Sequence, residues 1–436
     1  MSNAIEAVWK AIDDDPDFVI ELTQELVRVP SVNPKFQVDP ELNREPEVQD
    51  IIQKQLETDG FTTERWDVFP DRPNVIGEWE GSDENSLILC GHIDVVPVGD
   101  DSHWTKEPFG GEITDGRIWG RGAIDMKSGV AACMAAAHAI RKTGVELDGR
   151  LAIHSVVDEE AGGFGAIDIV RNKRLAKRAI IAEPTWGNVV PAEGGLTWAR
   201  VTIFGKQAHA GWRFNSIWPQ AHTADRVEPG VNAIELANRF LNALRDFEAS
   251  RCRDHWHPLV PAGLATINPG VIRGGAGMGE DGNPVIMSNA AIISDVVTID
   301  LDYKFMPDEN FEDVKAEFEA FLLNFAAMDP WMREHPPKVL WDLFDLNFPP
   351  MNTPVDHPLV TSIYERAGQV QKTAPVVKGF EAVTDAAHYA GAGVDAVIYG
   401  ATGEGFHAYD ECVDIESLID ATKVIAAAVI DNCGTK

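Results

Sequence analysis

Two histidines and five acidic residues occur in this sequence at points where a divalent metal ion could be bound. They follow short apolar runs or precede a helical segment, and they are His92, Asp94, Asp125, Glu159, Glu160, Glu183 and His407. Imidazole and carboxylate groups without cysteine suit zinc or a harder divalent ion. Taken singly, each residue is more often structural, and an aspartate before a helix is often only its N-cap. As a set they indicate a metal site, because so many strand ends supply the same type of ligand.

These residues lie at the ends of elements that the hydrophobic pattern predicts to alternate between strand and helix. Apolar runs at 86–90, 151–157, 179–182 and 394–399 each lead into a polar turn, and residues 126–143 predict a helix of small residues. Alternating strands and helices are typical of a largely parallel sheet covered on both faces. Such sheets bind ligands beyond the carboxyl ends of their strands. The sequence therefore predicts an α/β domain, with its mostly parallel sheet carrying the candidate ligands at one edge.

A different pattern occupies the middle of the chain. From about Gly194, strand-like runs and amphipathic helices follow one another in the order β-α-β-β-α-β, which is that of a ferredoxin-like α+β fold. Strand–helix alternation resumes after Pro349-Pro350. We predict that residues 1–193 and 347–436 form one discontinuous metal-binding catalytic domain, and that residues 194–346 form a domain inserted into it.

The composition predicts a folded protein with a strongly acidic surface. The chain has 436 residues, of which 44% are hydrophobic, and its 37 basic and 69 acidic residues give a net charge of −32. This charge repels nucleic acid and anionic lipid, so we expect neither as a partner. We see no signal peptide and no apolar run long enough for a bilayer. Five scattered cysteines without a C-x-x-C pair predict a reducing, cytoplasmic location.

Seven segments of the chain resemble, in order, those of the M20 family of metal-dependent peptidases and amidohydrolases. This group includes acetylornithine deacetylase, succinyl-diaminopimelate desuccinylase and carboxypeptidase G2. The matching segments are residues 91–97, 115–129, 158–160, 183–185, 205–210, 230–234 and 407–411. The resemblance covers nearly the whole chain and implies that the inserted domain is a lid and dimerisation domain.

The implied reaction is hydrolysis of the amide C–N bond of an N-acylated amino acid or a related small molecule. A metallo-carboxypeptidase or dipeptidase, which uses the same metals with a different pocket, stays open as an alternative. Removal of ammonia from an aromatic amine by an aminohydrolase is a more remote one. A catalytically silent binding homologue would be expected to have lost a ligand or the base, and the sequence has lost neither.

The resemblance also implies a site for two divalent metal ions. We expect Zn²⁺, with Co²⁺ or Mn²⁺ as alternatives. His92, Asp125 and Glu183 would hold one ion, and Asp125, Glu160 and His407 would hold the other. Asp125 would then be the shared carboxylate that bridges the two ions.

Three further residues would act beside the metals. Asp94 would orient His92 through its second ring nitrogen. Glu159 would be the general base that deprotonates the metal-bridging water and later protonates the leaving nitrogen. His209 matches the histidine of the inserted domain that stabilises the tetrahedral oxyanion. In the family that histidine reaches the active site of the neighbouring subunit, so the resemblance implies a homodimer formed through the lid.

The residues that would contact the substrate depart from the family pattern. Lys304 stands where the family usually has an arginine that binds a substrate carboxylate, and lysine supplies charge without the bidentate fork. Arg273 and Asn289 are the remaining candidate contacts to a carboxylate or oxyanion. Trp212 and Trp218, in an unexpectedly long segment of the lid, would either line a pocket for a bulky acyl group or pack the lid surface.

Overall fold

The computed structural model of the chain describes residues 2–214 and 229–436. Contacts between residues divide it into two units. The first consists of Met1–Glu193 and Met351–Lys436, and the second is Gly194–Pro350. The chain therefore leaves the second unit after residue 350, whereas the sequence-based boundary stands at residue 346.

The helices and strands of the described residues are numbered in chain order. The helices are α1 Ser2–Asp14, α2 Asp17–Arg28, α3 Glu45–Thr58, α4 Lys127–Lys142, α5 Phe164–Arg171, α6 Ala233–Asp254, α7 Phe311–Ala327, α8 Pro330–Glu334, α9 Pro358–Val370, α10 Ala386–Gly391 and α11 Ile415–Cys433. The strands are β1 Thr62–Phe69, β2 Arg72–Trp79, β3 Ser82–His92, β4 Glu112–Thr114, β5 Arg117–Trp119, β6 Gly149–Val156, β7 Arg178–Ile181, β8 Val189–Glu193, β9 Gly195–Phe204, β10 Ala208–His209, β11 Ile267–Met278, β12 Pro284–Ile286, β13 Ile292–Ile293, β14 Val296–Phe305, β15 Lys338–Leu340, β16 Asn347–Phe348, β17 Met351–Asn352, β18 Val377–Phe380, β19 Asp395–Ile398, β20 Gly403–Glu404 and β21 Cys412–Asp414. No helix in this part of the chain combines the length and hydrophobicity needed to span a bilayer.

The first unit is built on a nine-stranded mixed sheet. Its strand order is β1-β2-β6-β3-β7-β19-β8-β17, with β18 paired to β8. The four central strands β6, β3, β7 and β19 are parallel, and the strands toward either edge include antiparallel pairs. Successive side chains of β3 enter different cores, since Leu87 and Leu89 belong to one buried cluster and Ile88 and Cys90 to another. The predicted α/β architecture with a covered, parallel centre is confirmed.

A second, smaller sheet in this unit was not predicted. It is four-stranded and antiparallel, in the order β20-β21-β5-β4. Cys412 of β21 pairs with Trp119 of β5. Asp125 follows β5 and His407 precedes β21, so this pairing brings together two loops from distant parts of the sequence.

Helix α4 lies directly against the end of strand β7. A Cβ atom added to Gly129 of α4 would be 2.1 Å from the main-chain oxygen of Ala182. Only glycine allows this approach, and the contact brings the start of α4, which follows Asp125, close to the residue before Glu183.

The second unit is an antiparallel sheet with helices packed against it. The strand order is β12-β11-β14-β9-β15, and β16 also pairs with β9. Its core includes Phe240 of α6, Phe318 of α7 and Tyr303 of β14, all fully buried. The elements β9, α6, β11, β14, α7 and β15 follow one another as predicted for a ferredoxin-like fold.

Candidate metal centre

Three neighbouring parallel strands deliver most of the candidate ligands. His92 is the last residue of β3, and its side chain is fully buried. Glu159 and Glu160 form a short 3-10 turn after β6, and Glu183 comes two residues after β7. Since β6, β3 and β7 are adjacent and parallel, their carboxyl ends meet at one edge of the sheet.

The Nε2 atom of His92 faces carboxylates from three different segments. His92 Nε2 lies 3.2 Å from Asp125 Oδ1, 3.5 Å from Glu183 Oε1 and 3.8 Å from Glu159 Oε2. One potential ligand atom from each of His92, Glu159 and Glu183 lies within 4.8 Å of the other two. The same holds for His92, Asp125 and Glu160. Both groups of atoms are close enough for a metal ion to be held among them.

Asp125 lies between the two imidazole rings. While its Oδ1 faces His92, its Oδ2 is 3.3 Å from Nε2 of His407. Glu160 Oε2 approaches the same His407 nitrogen at 2.9 Å. His407 has a left-handed backbone (φ 52°), and its ring is about half exposed. One carboxylate with its two oxygens directed at different ligand groups is the arrangement that a bridging ligand requires.

The charges in this cluster favour a divalent cation. Burial raises the pKa of Glu159 and Glu183 well above the usual range, and it raises the pKa of Glu160 to about 7. Hydrogen bonds to Asp125 and Glu160 raise the pKa of His407 to about 10. If all four carboxyls were ionised, their charge would exceed that of two protonated imidazoles, and this excess negative charge in a largely buried cluster is what the raised pKa values oppose. The donor set therefore fits metal ions, which supply positive charge and use these same atoms as ligands.

Asp94 contacts His92 through its main chain. His92 Nδ1 lies 2.9 Å from the main-chain oxygen of Asp94 and 3.6 Å from its carboxylate. The carboxylate instead accepts hydrogen bonds from the main-chain N–H groups of Glu159 (3.1 Å) and Glu160 (3.3 Å), and from the Asn33 side chain (2.8 Å). The main-chain oxygen of Asp94 thus orients the ring of His92. The carboxylate of Asp94 fixes the turn that contains Glu159 and Glu160, which we call the acidic turn.

A buried ion-pair network holds Asp158, the residue that directly precedes the acidic turn. Asp158 has a left-handed backbone (φ 70°) and a fully buried side chain. Its carboxylate binds Arg72 at 2.6 Å and Lys35 at 2.5 Å. Arg72 also donates two hydrogen bonds to Glu45, at 2.6 and 2.8 Å. The sequence analysis assigned no role to these four residues, although Asp158 lies within a segment that resembles the family.

A second buried ion pair holds the segment that carries Asp125. Glu411 Oε1 accepts the main-chain N–H groups of Ile124 and Asp125, each at 3.1 Å. Its other oxygen binds Arg121 Nη1 at 2.5 Å, and Arg121 Nη2 donates to the main-chain oxygen of Ala408 at 2.9 Å. Arg121 and Glu411 therefore fasten the loops of Asp125 and His407 to each other. The sequence analysis also missed this pair.

His209 lies in the second unit, at the end of β10, and is exposed. Its Nδ1 accepts a hydrogen bond from the main-chain N–H of Gly211 at 3.0 Å. A neutral imidazole that accepts at Nδ1 carries its proton on Nε2, which is then a hydrogen-bond donor. Trp212 is 43% exposed and its ring centroid is 6.3 Å from that of His209. Trp218 lies outside the described residues.

The candidate contacts to a substrate carboxylate also belong to the second unit. Arg273 Nη1 donates to Asp300 Oδ2 at 2.9 Å, and Arg200 binds the same carboxylate through two hydrogen bonds. The Asn289 side chain accepts a main-chain N–H two residues further on, at 2.9 Å. Lys304 lies in β14. Arg273 and Asn289 are thus engaged within their own unit.

A third group of possible metal ligands, His255, Glu309 and Glu317, occurs in the second unit. Arg251, whose side chain is fully buried, forms ion pairs with both of these glutamates. The guanidinium already occupies one oxygen of each carboxylate and offsets part of their charge, so we assign no metal ion to this group.

Comparisons with known proteins match the chain to one peptidase family. The sequence profile of peptidase family M20/M25/M40 matches residues 88–431. The chain is 31% identical over 453 residues to a protein of Bacillus subtilis named N-formyl-4-amino-5-aminomethyl-2-methylpyrimidine deformylase, covering all of this chain and 99% of that protein. A Halalkalibacterium halodurans protein of the same name is 30% identical over 447 residues, covering 99% and 98% of the two chains.

Solved structures have the same fold at lower sequence identity. Aminopeptidase PepT from Bacillus cereus superposes with a TM-score of 0.70 at 20% identity, covering 96% of this chain and 98% of that one. A dinuclear metal-binding M20 peptidase from Bacillus subtilis gives a TM-score of 0.66 at 16% identity, covering 97% and 100%. Human carnosine dipeptidase 1 gives 0.63 at 18% identity, covering 98% of each chain.

We predict that Glu411→Gln weakens both metal binding and the folded state. The variant leaves Arg121 as a buried, uncompensated cation. Such a change typically lowers the free energy of unfolding by about 3–5 kcal/mol. Urea unfolding and elemental analysis after dialysis measure the two effects. Glu404→Gln is the matched control, because Glu404 is 68% exposed and pairs with Arg117 at the surface. Loss of this surface ion pair should lower the free energy of unfolding by less than about 1 kcal/mol. Equal effects of the two substitutions would contradict the role given to Glu411.

Proposed function

The chain belongs to peptidase family M20/M25/M40, and from that premise we propose that it is a deformylase that removes a formyl group from the nitrogen of a small amine. The family resemblance found in the sequence is confirmed, and the protein is a metal-dependent hydrolase of an amide C–N bond. The observation that carries the finer proposal is the likeness, along the full length of both chains, to two named deformylases. The substrate class we propose is an N-formyl aminomethyl-pyrimidine or a close analogue.

We further propose that the site takes two metal ions, with Zn²⁺ preferred and Co²⁺ or Mn²⁺ as alternatives. His92, Asp125 and Glu183 would hold one ion, and Asp125, Glu160 and His407 would hold the other. The two oxygens of Asp125, each facing a different imidazole, support this division. When bound, such ions lower the pKa of a water molecule and polarise the oxygen of the scissile carbonyl.

Glu159 is the general base in this proposal. It takes a proton from the attacking water as the water oxygen bonds to the formyl carbon. It then gives that proton to the leaving nitrogen as the C–N bond breaks, so the products are formate and a free amine. The hydrogen bond from the Glu159 main chain to the Asp94 carboxylate supports this role, because it fixes the turn from which Glu159 acts.

A carboxypeptidase or dipeptidase would need a cation for the free carboxylate of its substrate. The guanidinium of Arg273 already binds Asp300. The single ammonium group of Lys304 cannot form the two parallel hydrogen bonds that an arginine gives a carboxylate. A formamide has no such carboxylate. These observations favour the deformylase over the peptidase alternative.

His209 is proposed as the donor that stabilises the oxyanion formed on the formyl group, acting in the active site of the partner subunit. Its proton on Nε2 and its exposed position support this role. A homodimer through the second unit is supported by exposed apolar side chains on and beside β11 and β12, which are Val271, Ile272, Val285, Ile286 and Met287. All five cysteines are in the described part of the chain and none forms a disulfide, which supports a cytoplasmic location.

The proposed substrate class is tested by measuring products. Zinc-loaded protein should release formate from N-formyl-4-amino-5-aminomethyl-2-methylpyrimidine. Its kcat/KM should exceed those for the N-acetyl analogue, N-acetyl amino acids and dipeptides by at least about tenfold, which corresponds to about 1.4 kcal/mol. Chelated protein, with and without restored metal, is the control. Faster cleavage of dipeptides would reject the deformylase in favour of a peptidase, and release of ammonia would favour an aminohydrolase.

The roles of the two adjacent glutamates are separated by Glu159→Gln and Glu160→Gln. Glu159→Gln should lower kcat by about 10²–10⁴ with metal content intact, because the base is lost while its shape is kept. Glu160→Gln is the matched variant and should lose bound metal instead. Elemental analysis beside steady-state kinetics distinguishes them. If both variants lost metal to the same extent, the assigned roles would be wrong.

The proposed position of His209 across a dimer is tested by mixing two inactive variants. His209→Ala should lower kcat by about 10²–10³, the usual effect of losing an oxyanion donor. A mixed dimer of His209→Ala with Glu159→Gln has one site with both defects and one site with neither, so activity should return. Light scattering on the mixture checks that the protein is dimeric under the assay conditions. Mixed dimers that stay inactive would place His209 in its own chain's site or exclude it as the donor.

A further inference from the structure

Trp186 is an exposed aromatic residue in the segment that carries Glu183, and the mechanism gives it no role. The three residues before it, Glu183, Pro184 and Thr185, are buried, whereas Trp186 is 44% exposed. Only two residues separate it from Glu183, so its position is tied to that of a proposed metal ligand.

The backbone of Trp186 adopts a conformation that disfavours a bulky side chain. Trp186 and Gly187 both have left-handed φ angles, of 55° and 73°. Two consecutive left-handed residues are typical of Asn-Gly or Gly-Gly turns, and a large aromatic residue there is an outlier. A residue that only closed the turn would be asparagine or glycine, so the indole requires a separate explanation.

The turn is fastened to the segment that follows β19. The N–H groups of Trp186 and Gly187 donate to the main-chain oxygens of Ala401 (3.3 Å) and Gly400 (3.1 Å). The Gly400 N–H donates to the Thr185 hydroxyl at 3.1 Å. The backbone that presents the indole is therefore held at the same edge of the sheet as the metal ligands.

The indole is also supported by its neighbours. The ring of Phe406 lies 5.1 Å from the ring of Trp186, centroid to centroid, and is inclined by 45°. Phe406 directly precedes His407 and packs against the main core. Lys378 Nζ lies 5.2 Å from the Trp186 ring, within the range of a cation–π contact. The aromatic pair thus joins the segments of two proposed ligands, Glu183 and His407, and leaves much of Trp186 exposed.

We propose that Trp186, supported by Phe406, is the specificity residue that contacts the aromatic ring of the amine released by hydrolysis. This inference rests on the proposed function and deepens it, since it assigns the recognition of a planar heterocycle to a named side chain. A pyrimidine presents a flat π-face, and an indole surface is suited to stacking against it. The formyl end would lie at the metal ligands while the ring lies against Trp186.

The test compares Trp186→Ala and Trp186→Phe on two formamides. One is N-formyl-4-amino-5-aminomethyl-2-methylpyrimidine, and the other is N-formylbutylamine, which has no ring. Trp186→Ala should lower kcat/KM for the pyrimidine roughly 5- to 150-fold, mainly through KM, and leave that for N-formylbutylamine unchanged. Trp186→Phe should retain most of the preference, and metal content should be normal in both variants.

Trp256→Ala is the matched control, because Trp256 is 65% exposed and lies in the second unit, after α6. It should leave the ratio of the two kcat/KM values unchanged. Equal losses on both formamides in Trp186→Ala would overturn the proposal, since they would show that Trp186 only supports the Glu183 segment.

A binding measurement separates this inference from the proposed function. Calorimetry with the product amine, 4-amino-5-aminomethyl-2-methylpyrimidine, should show weaker binding to Trp186→Ala than to the unsubstituted protein by the same factor. Butylamine should show no such difference. If the protein released no formate but the aromatic amine still bound through Trp186, the deformylase proposal would fail and the aromatic contact would stand. If the amine bound both proteins equally, the contact would fail.

Discussion

Mutual repulsion among closely spaced, largely buried carboxylates is the constraint on which the rest of this structure depends. Strand ends and one helix start bring four of them together, those of Asp125, Glu159, Glu160 and Glu183. Since the protein interior screens charge poorly, such a group must be protonated or neutralised by cations. The raised pKa values of the three glutamates result from this burial. A divalent cation removes the repulsion and uses the same oxygen atoms as ligands, which is why a metal-dependent reaction suits this edge of the sheet.

The nearby carboxylates differ in which groups balance their charge, and that difference separates the supporting residues from the proposed metal ligands. Asp158 is bound by Arg72 and Lys35, and Glu411 is bound by Arg121. These carboxylates hold the loops in place, and their charge is already compensated by the protein. Among the residues that the structure describes, the basic groups within ion-pair distance of the four cluster carboxylates are the imidazoles of His92 and His407, which fits a site whose remaining negative charge is balanced by metal ions.

Much of the architecture could be predicted because it follows from short-range periodicity. The strands of the parallel centre are apolar runs that end in polar turns, and the ferredoxin-like unit has elements long enough to show their spacing. The small sheet was missed because its strands have only two or three residues, too few for an alternating pattern. Its pairing of Cys412 with Trp119 joins parts of the chain that no local window covers.

The sequence by itself determined the types of residue at the strand ends, which indicate a metal site, and its resemblance to the M20 family implied the class of reaction. Only the tertiary structure decided which oxygen faces which ring, and that Asp94 reaches His92 through its main chain. It also decided that Arg121 pairs with Glu411, 290 residues away, and that Phe406 supports Trp186. The physical reason is that these roles depend on distances of a few ångströms between side chains from separate segments, and those distances are set only when the strands pack side by side.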